Sequence, residues 1–127
     1  MAVVFRYARA ETPPAPYVLV TLARADGSGT TLDVPAKVDS GADRTVIPTR
    51  LAEQIGLVEV ERREFEGLGG VRVTLSLFDL LVTIRGCQPV AVAAAGSDGE
   101  PYILLGRDVL NHFRIVLDGP NEKLEIT

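Results

Sequence analysis

From residue 17 onward the chain is a succession of short apolar runs, each closed by glycine, proline, aspartate or asparagine. Runs this short, closed so often, suit β-strands and leave little room for packed helices. Residues 17–24 are rich in Val, Leu and Thr and stop at Ala25-Asp26-Gly27-Ser28-Gly29, so residues 30–38 read as the returning arm of a hairpin. Residues 71–85 alternate at their start, with Val71, Val73, Leu75 and Leu77 on one face. After an Arg85-Gly86 turn, residues 87–95 continue as a further apolar strand. Residues 114–118 and 123–127 flank Gly119-Pro120-Asn121, another hairpin signal. At the front, a short strand over residues 2–7 precedes the stiff connector Thr12-Pro13-Pro14-Ala15-Pro16. Two short helices interrupt the strands. One spans residues 50–55, with Thr49 as its cap and Gly56 as its stop; the other, about residues 107–112, gives Val109 and Leu110 to the core. This pattern predicts an all-β barrel or sandwich.

The bulk numbers narrow the class. A chain of 127 residues fits one domain spanning 1–127, and at 46% hydrophobic it can bury a core without staples. Cys87 is the only cysteine, which rules out an intrachain disulfide and a cysteine-based metal cluster and suits a reducing compartment. The net charge of −4 and the absence of a basic stripe argue against a nucleic-acid binder. Residues 1–10 carry two arginines and no sustained apolar run, unlike a signal peptide. No stretch reaches the roughly 20 apolar residues of a membrane span. The expectation is a cytoplasmic protein without membrane or nucleic-acid partners.

One segment carries chemistry: Val38-Asp39-Ser40-Gly41-Ala42-Asp43-Arg44-Thr45-Val46-Ile47. A carboxylate just past an apolar strand is followed by a hydroxyl that can brace a loop and a glycine that permits a tight turn. Ala42 is small enough for close packing, and Thr45-Val46-Ile47 returns the chain to β structure. Metal-free peptide hydrolysis by carboxyls needs two of them sharing a proton, one activating water and the other polarising the carbonyl. The chain holds one Asp-Ser-Gly, and its other Asp-Gly pairs, at Asp26, Asp98 and Asp118, lack the hydroxyl. A second acid would have to come from a second copy, across a two-fold axis through this loop.

Asp39-Ser40-Gly41-Ala42-Asp43 resembles the Asp-Thr/Ser-Gly-Ala motif of retropepsin-like aspartic proteases. Glu66-Gly67-Leu68-Gly69-Gly70 looks like the tip of that family's flap, and Leu104-Leu105-Gly106-Arg107-Asp108 like the strand and helix start that pack behind the active loop. The resemblance runs from about residue 17 to residue 127 and implies an acid-protease closed β-barrel with two short helices, active as a homodimer. It implies Asp39 as the catalytic acid, Ser40 interlocking with its symmetry mate, and Gly41 and Ala42 in the active loop. Gly67, Leu68, Gly69 and Gly70 would cover an extended peptide or protein substrate. Arg107 would pair with Asp43, Leu104, Leu105 and Gly106 would pack behind the loop, and residues 123–127 would join the dimer contact. Neither metal nor cofactor is implied. Ser40 stands where threonine is commoner, and the 50–55 helix, absent from the smallest viral enzymes, points to the cellular and bacterial branch.

The remaining polar residues have plainer readings. His112 reads as a surface residue, Cys87 as a small core residue, and residues 59–64 as a solvated strand near the flap. Lys37 alternates with Ala36 and Val38 and so faces outward, while Asp108 reads as an acid favouring a helix N-terminus. The rival function is a non-catalytic dimeric module that keeps the acid-protease fold to bind peptides or scaffold a complex.

Overall fold

A computed structural model describes residues 2–127; Met1 lies outside the described residues. Ten strands and two short helices follow in the order β1 (Val3–Arg6), β2 (Tyr17–Arg24), β3 (Thr31–Val38), β4 (Val46–Pro48), α1 (Thr49–Gln54), β5 (Glu59–Glu66), β6 (Arg72–Ile84), β7 (Val90–Ser97), β8 (Ile103–Leu105), α2 (Arg107–Leu110), β9 (Ile115–Asp118) and β10 (Lys123–Ile126). The all-β reading with two short helices holds.

Six strands close on themselves in the order β2-β3-β8-β4-β7-β6, with β6 returning to β2 through Val20–Ile84, Leu22–Val82 and Arg24–Leu80. Closure leaves no open edge in that ring. Its interior is filled by fully buried Leu22, Ile47, Leu80, Val82, Ile84, Ile103 and Leu105. Each such side chain contributes about 1.5–3 kcal/mol when taken out of water. Val109 and Leu110 of α2, and Leu51 and Ala52 of α1, are buried in the same core.

β5 lies outside the ring, paired antiparallel with the first half of β6 as a projecting hairpin. That explains a departure from simple alternation. Val73 is 46% exposed although it continues the phase of buried Leu77, because no layer backs the hairpin there. The buried phase then shifts, so that Phe78, Leu80, Val82 and Ile84 point into the ring. The charged stretch of β5 is exposed along nearly its whole length.

A second, three-stranded sheet of order β1-β10-β9 packs Phe5, Leu124 and Ile126 against the ring. Residues 8–16 run back from β1 to β2, joined by an Ala8–Ala15 bridge.

Two local expectations need correction, and a third holds with an addition. Thr49 does not cap α1; it is the first helical residue, Pro48 occupies the cap position, and no side chain bonds the free amides. The strand expected over 87–95 begins at Val90, because Cys87 is still in the turn, its amide bonding Ile84 O. Lys37 leaves the ring as alternation requires, yet it is covered. Glu11 of the connector pairs with it at 3.0 Å, so the outer face of β3 is not bare.

Candidate active site

The loop at residues 39–45 joins β3 to β4, and β8 lies between those strands, parallel to β3 and antiparallel to β4. The loop therefore passes over the end of β8. Asp39 N donates to Leu105 O at 3.0 Å and Val38 N to Pro16 O at 3.0 Å, so the chain leading into the aspartate Cα is bonded to neighbours at two successive amides. Asp39 closes its own turn as well. Its Oδ1 accepts from Gly41 N at 3.0 Å and its carbonyl from Ala42 N at 3.1 Å. A carboxylate that accepts a backbone amide is fixed in direction as well as in place. Asp39 is half-buried, while Ser40 and Gly41 are exposed at the surface of one chain.

α2 clamps the far side of the loop. Arg107 N donates to Ala42 O at 2.9 Å, and Arg107 Nη1 donates to Ser40 O at 2.7 Å. Arg107 Nη2 pairs with the Asp43 carboxylate. One arginine thus holds three successive parts of the loop, which a planar fork of donors does better than a lysine. Gly106 must be glycine here, since a Cβ would come within 2.5 Å of the Arg44 backbone. Behind the loop Leu105 is fully buried and Leu104 partly so.

Two residues of this arrangement escaped the sequence reading. Thr45 is the one fully buried polar side chain among the described residues. Its hydroxyl donates to Asp108 Oδ1 at 2.7 Å and accepts from Gly106 N at 3.2 Å, while its amide bonds both Asp108 oxygens at 3.0 Å. Asp108 does serve its own helix start, by accepting from Val109 N at 2.9 Å, but its main partners are on Thr45. It is a tie between α2 and the loop, and nothing local in the sequence signals a partner so far along the chain.

The projecting hairpin ends in a single turn over Leu68–Gly70, closed by Gly67 N to Val71 O at 2.7 Å. Gly69 and Gly70 have φ of +74° and +75°, a region that costs a side chain strain. Leu68 stands 99% exposed at the tip. Close to the tip of the hairpin the Arg44 guanidinium lies 5.9 Å from the centre of the Phe65 ring, and it donates to Ala93 O at 2.7 Å. A hollow of about 160 Å³ separates the hairpin from the ring, lined by Thr74, Leu75, Ser76 and Phe78 on one side and Thr49, Gly96 and Asp98 on the other. Among the described residues no three His, Cys, Asp or Glu side chains converge on a metal-sized point, and no helix is long and apolar enough to cross a membrane.

Within one chain, then, Asp39, Ser40, Gly41, Ala42, Asp43, Leu104, Leu105, Gly106 and Arg107 meet in a single cluster, with the Gly67–Gly70 tip apart from it on the hairpin. Residues 20–109 match the aspartyl protease family. The fold is similar to that of a retropepsin-like aspartic protease from Rickettsia conorii, with TM-score 0.69 and 15% identity over 99% of this chain and 90% of that one. It is also similar to simian foamy virus protease, with TM-score 0.54 and 18% identity over 75% and 91% of the two chains. EIAV protease in complex with the inhibitor HBY-793 gives TM-score 0.50 and 23% identity over 77% and 86%. No curated protein matches the sequence.

Proposed function

Because the chain belongs to the aspartyl protease family, we propose that it is an aspartic endopeptidase whose active site is built by two copies, each supplying Asp39. The observation that carries this reading is the single braced acid loop. The amides of Val38, Asp39, Gly41 and Ala42 are committed, the Asp39 carboxylate is aimed by Gly41, and yet the neighbouring Ser40 and Gly41 are open to a partner. A two-fold axis there sets Asp39 opposite Asp39.

Two carboxyls about 3 Å apart keep one proton between them. The ionised one takes a proton from a water whose oxygen attacks the scissile carbonyl carbon; the protonated one donates to the carbonyl oxygen. Collapse of the tetrahedral adduct breaks the C–N bond as a proton passes to the leaving nitrogen. Each chain's residues keep this geometry. Ser40 meets its symmetry mate below the pair, Gly41 and Ala42 let substrate backbone approach, and Asp43 with Arg107 holds the loop to α2. Leu104, Leu105 and Gly106 form its floor. Gly67, Leu68, Gly69 and Gly70 close over a peptide bound extended, as an added strand. The reaction needs no cofactor. The whole of residues 1–127 works as one domain, and its lone half-buried thiol suits the cytoplasm.

Incubating wild type and Asp39→Asn with a diverse peptide mixture from acid to neutral pH, with cuts read by mass spectrometry, tests the reading. Cleavage by the wild type alone is expected. A folded wild type that cuts nothing at any pH sinks the proteolytic reading and leaves the peptide-binding module.

A further inference from the structure

We propose, resting on the two-copy proteolytic reading above, that Lys37, Tyr17 and Tyr102 form a carboxylate-binding subsite beside Asp39. Glu11 of the connector fills it within the chain, and an acidic side chain of the substrate displaces Glu11 from it.

The placement follows from strand alternation. The ladder of β3 to β8 continues through Asp39, whose amide bonds Leu105 O. Ala36 and its β8 neighbour Ile103 are fully buried inside the ring, so Lys37 and Asp39 share the outer face. Leu104 flanks Lys37 on the β8 side of that face, and Tyr17 flanks it on the β2 side. At about 3.3 Å per residue, Lys37 lies roughly 6.6 Å along the strand from Asp39. A peptide laid extended over Asp39 therefore sets a side chain within two residues of the scissile bond against Lys37. The two-fold axis repeats the subsite on the other side of the bond.

The chemistry is that of an anion receptor. Tyr17 Oη donates to Glu11 Oε1 at 2.9 Å and Tyr102 Oη donates to it at 3.3 Å. The Lys37 ammonium lies 3.2 Å from the same oxygen and 3.0 Å from Oε2. These donors also hold one another. The two tyrosine rings meet edge to face with centres 5.5 Å apart, and the ammonium lies 5.8 Å from the centre of the Tyr102 ring. Those contacts do not involve Glu11. The bond from Lys37, followed by that from Tyr17, holds the Glu11 carboxyl below its ordinary 4.5, so the cradle favours the anion.

Glu11 is the replaceable member. It sits in no strand, on the connector between β1 and β2, and its side chain stays 28% exposed beside a Lys37 at 31%. A hollow of about 480 Å³ opens next to the pair, walled by Thr12, Pro13, Pro14 and Pro16. Through it a second carboxylate reaches the ammonium from solvent. Glu11 is then a tethered competitor, displaced by an acid and not by a neutral side chain, which would leave the lysine without its charged partner.

In the diverse peptide mixture, bonds cut by the wild type should carry Glu or Asp within two residues more often than uncut ones. At one such site, C-terminally amidated peptides carrying Glu or Gln there exclude a terminal carboxylate as the ligand. The wild type should favour the Glu peptide in kcat/KM by about threefold, the scale of a half-exposed ion pair. Glu11→Ala should widen that preference through KM, and Lys37→Met should abolish it. Should Lys37→Met fail to fold, Tyr102→Phe, which keeps the ring and removes one donor, should narrow the preference in its place. No preference in the wild type, or one that the donor variants leave unchanged, overturns the subsite and leaves the paired aspartates standing. A wild type that cuts nothing overturns the proteolytic reading, and acetate then decides the subsite. Acetate should raise the melting temperature of Glu11→Ala above that in equal chloride, and should not do so for Glu11→Ala combined with Lys37→Met. An equal response from both overturns the subsite.

Discussion

Thr45 donates to Asp108, accepts from Gly106 N, and is sealed from water, so its hydroxyl joins the loop, α2 and the end of β8 at one point. Replacing it with valine keeps the shape and removes both bonds, leaving a buried amide unpaired at a cost of about 1–3 kcal/mol. Urea unfolding of Thr45→Val should show a destabilisation of that size, and Thr45→Ser should recover most of it. At this scale the sequence was legible only where chemistry is local. Asp39, Ser40 and Gly41 announce themselves by type and adjacency. Thr45 and Asp108 do not, because a threonine in a β-run and an aspartate at a helix start are each unremarkable, and what joins them is the passage of the loop over β8.

Among the elements, the connector before β2 carries a titratable tie. Glu11 accepts from Lys37, from Tyr17 Oη at 2.9 Å and from Tyr102 Oη at 3.3 Å, which links the connector to β2, β3 and the start of β8. The hydrogen bond from Lys37, followed by that from Tyr17, holds the Glu11 carboxyl below its ordinary 4.5. Burial, with bonding to Tyr102 and Glu11, pushes the Tyr17 hydroxyl up. For an acid whose pKa is depressed on folding, the stabilisation is complete above the unfolded value and is lost as pH falls through the folded one. The stability gap between wild type and Glu11→Gln should therefore be constant above about pH 5.5 and shrink on acidification below 4.5. Thermal melts across that range would show it, and a gap independent of pH would show that Glu11 acts by shape alone. Alternation located these strands well but could not anticipate the connector folding back on β3. Nor could it show that β6 changes phase where it leaves the hairpin for the ring.

Over the whole molecule, an active site divided between chains predicts poisoning by an inert partner. Mixing wild type with an equal amount of Asp39→Asn, allowed to exchange, should leave about half the activity of the wild type alone, because half its chains then face an inert partner. An enzyme complete within one chain would lose nothing. The barrel class was legible because short strands and glycine turns leave few alternatives, whereas ring closure was implied by the family resemblance and by no pattern of its own. It depends on β2 meeting β6 across residues 25–71, and no short-range pattern encodes that.

The floor under Asp39 comes from the other end of the chain. Leu105 O, Gly106 and the Arg107 clamp are contributed after the rest of the ring, so during synthesis the acid emerges long before anything can set its loop. A growing chain stopped short of residue 105 carries Asp39 but no seat for it. On the proposed reading the chain is inert while it is being made, since Asp39 acquires its loop geometry only when α2 has left the ribosome and folded back.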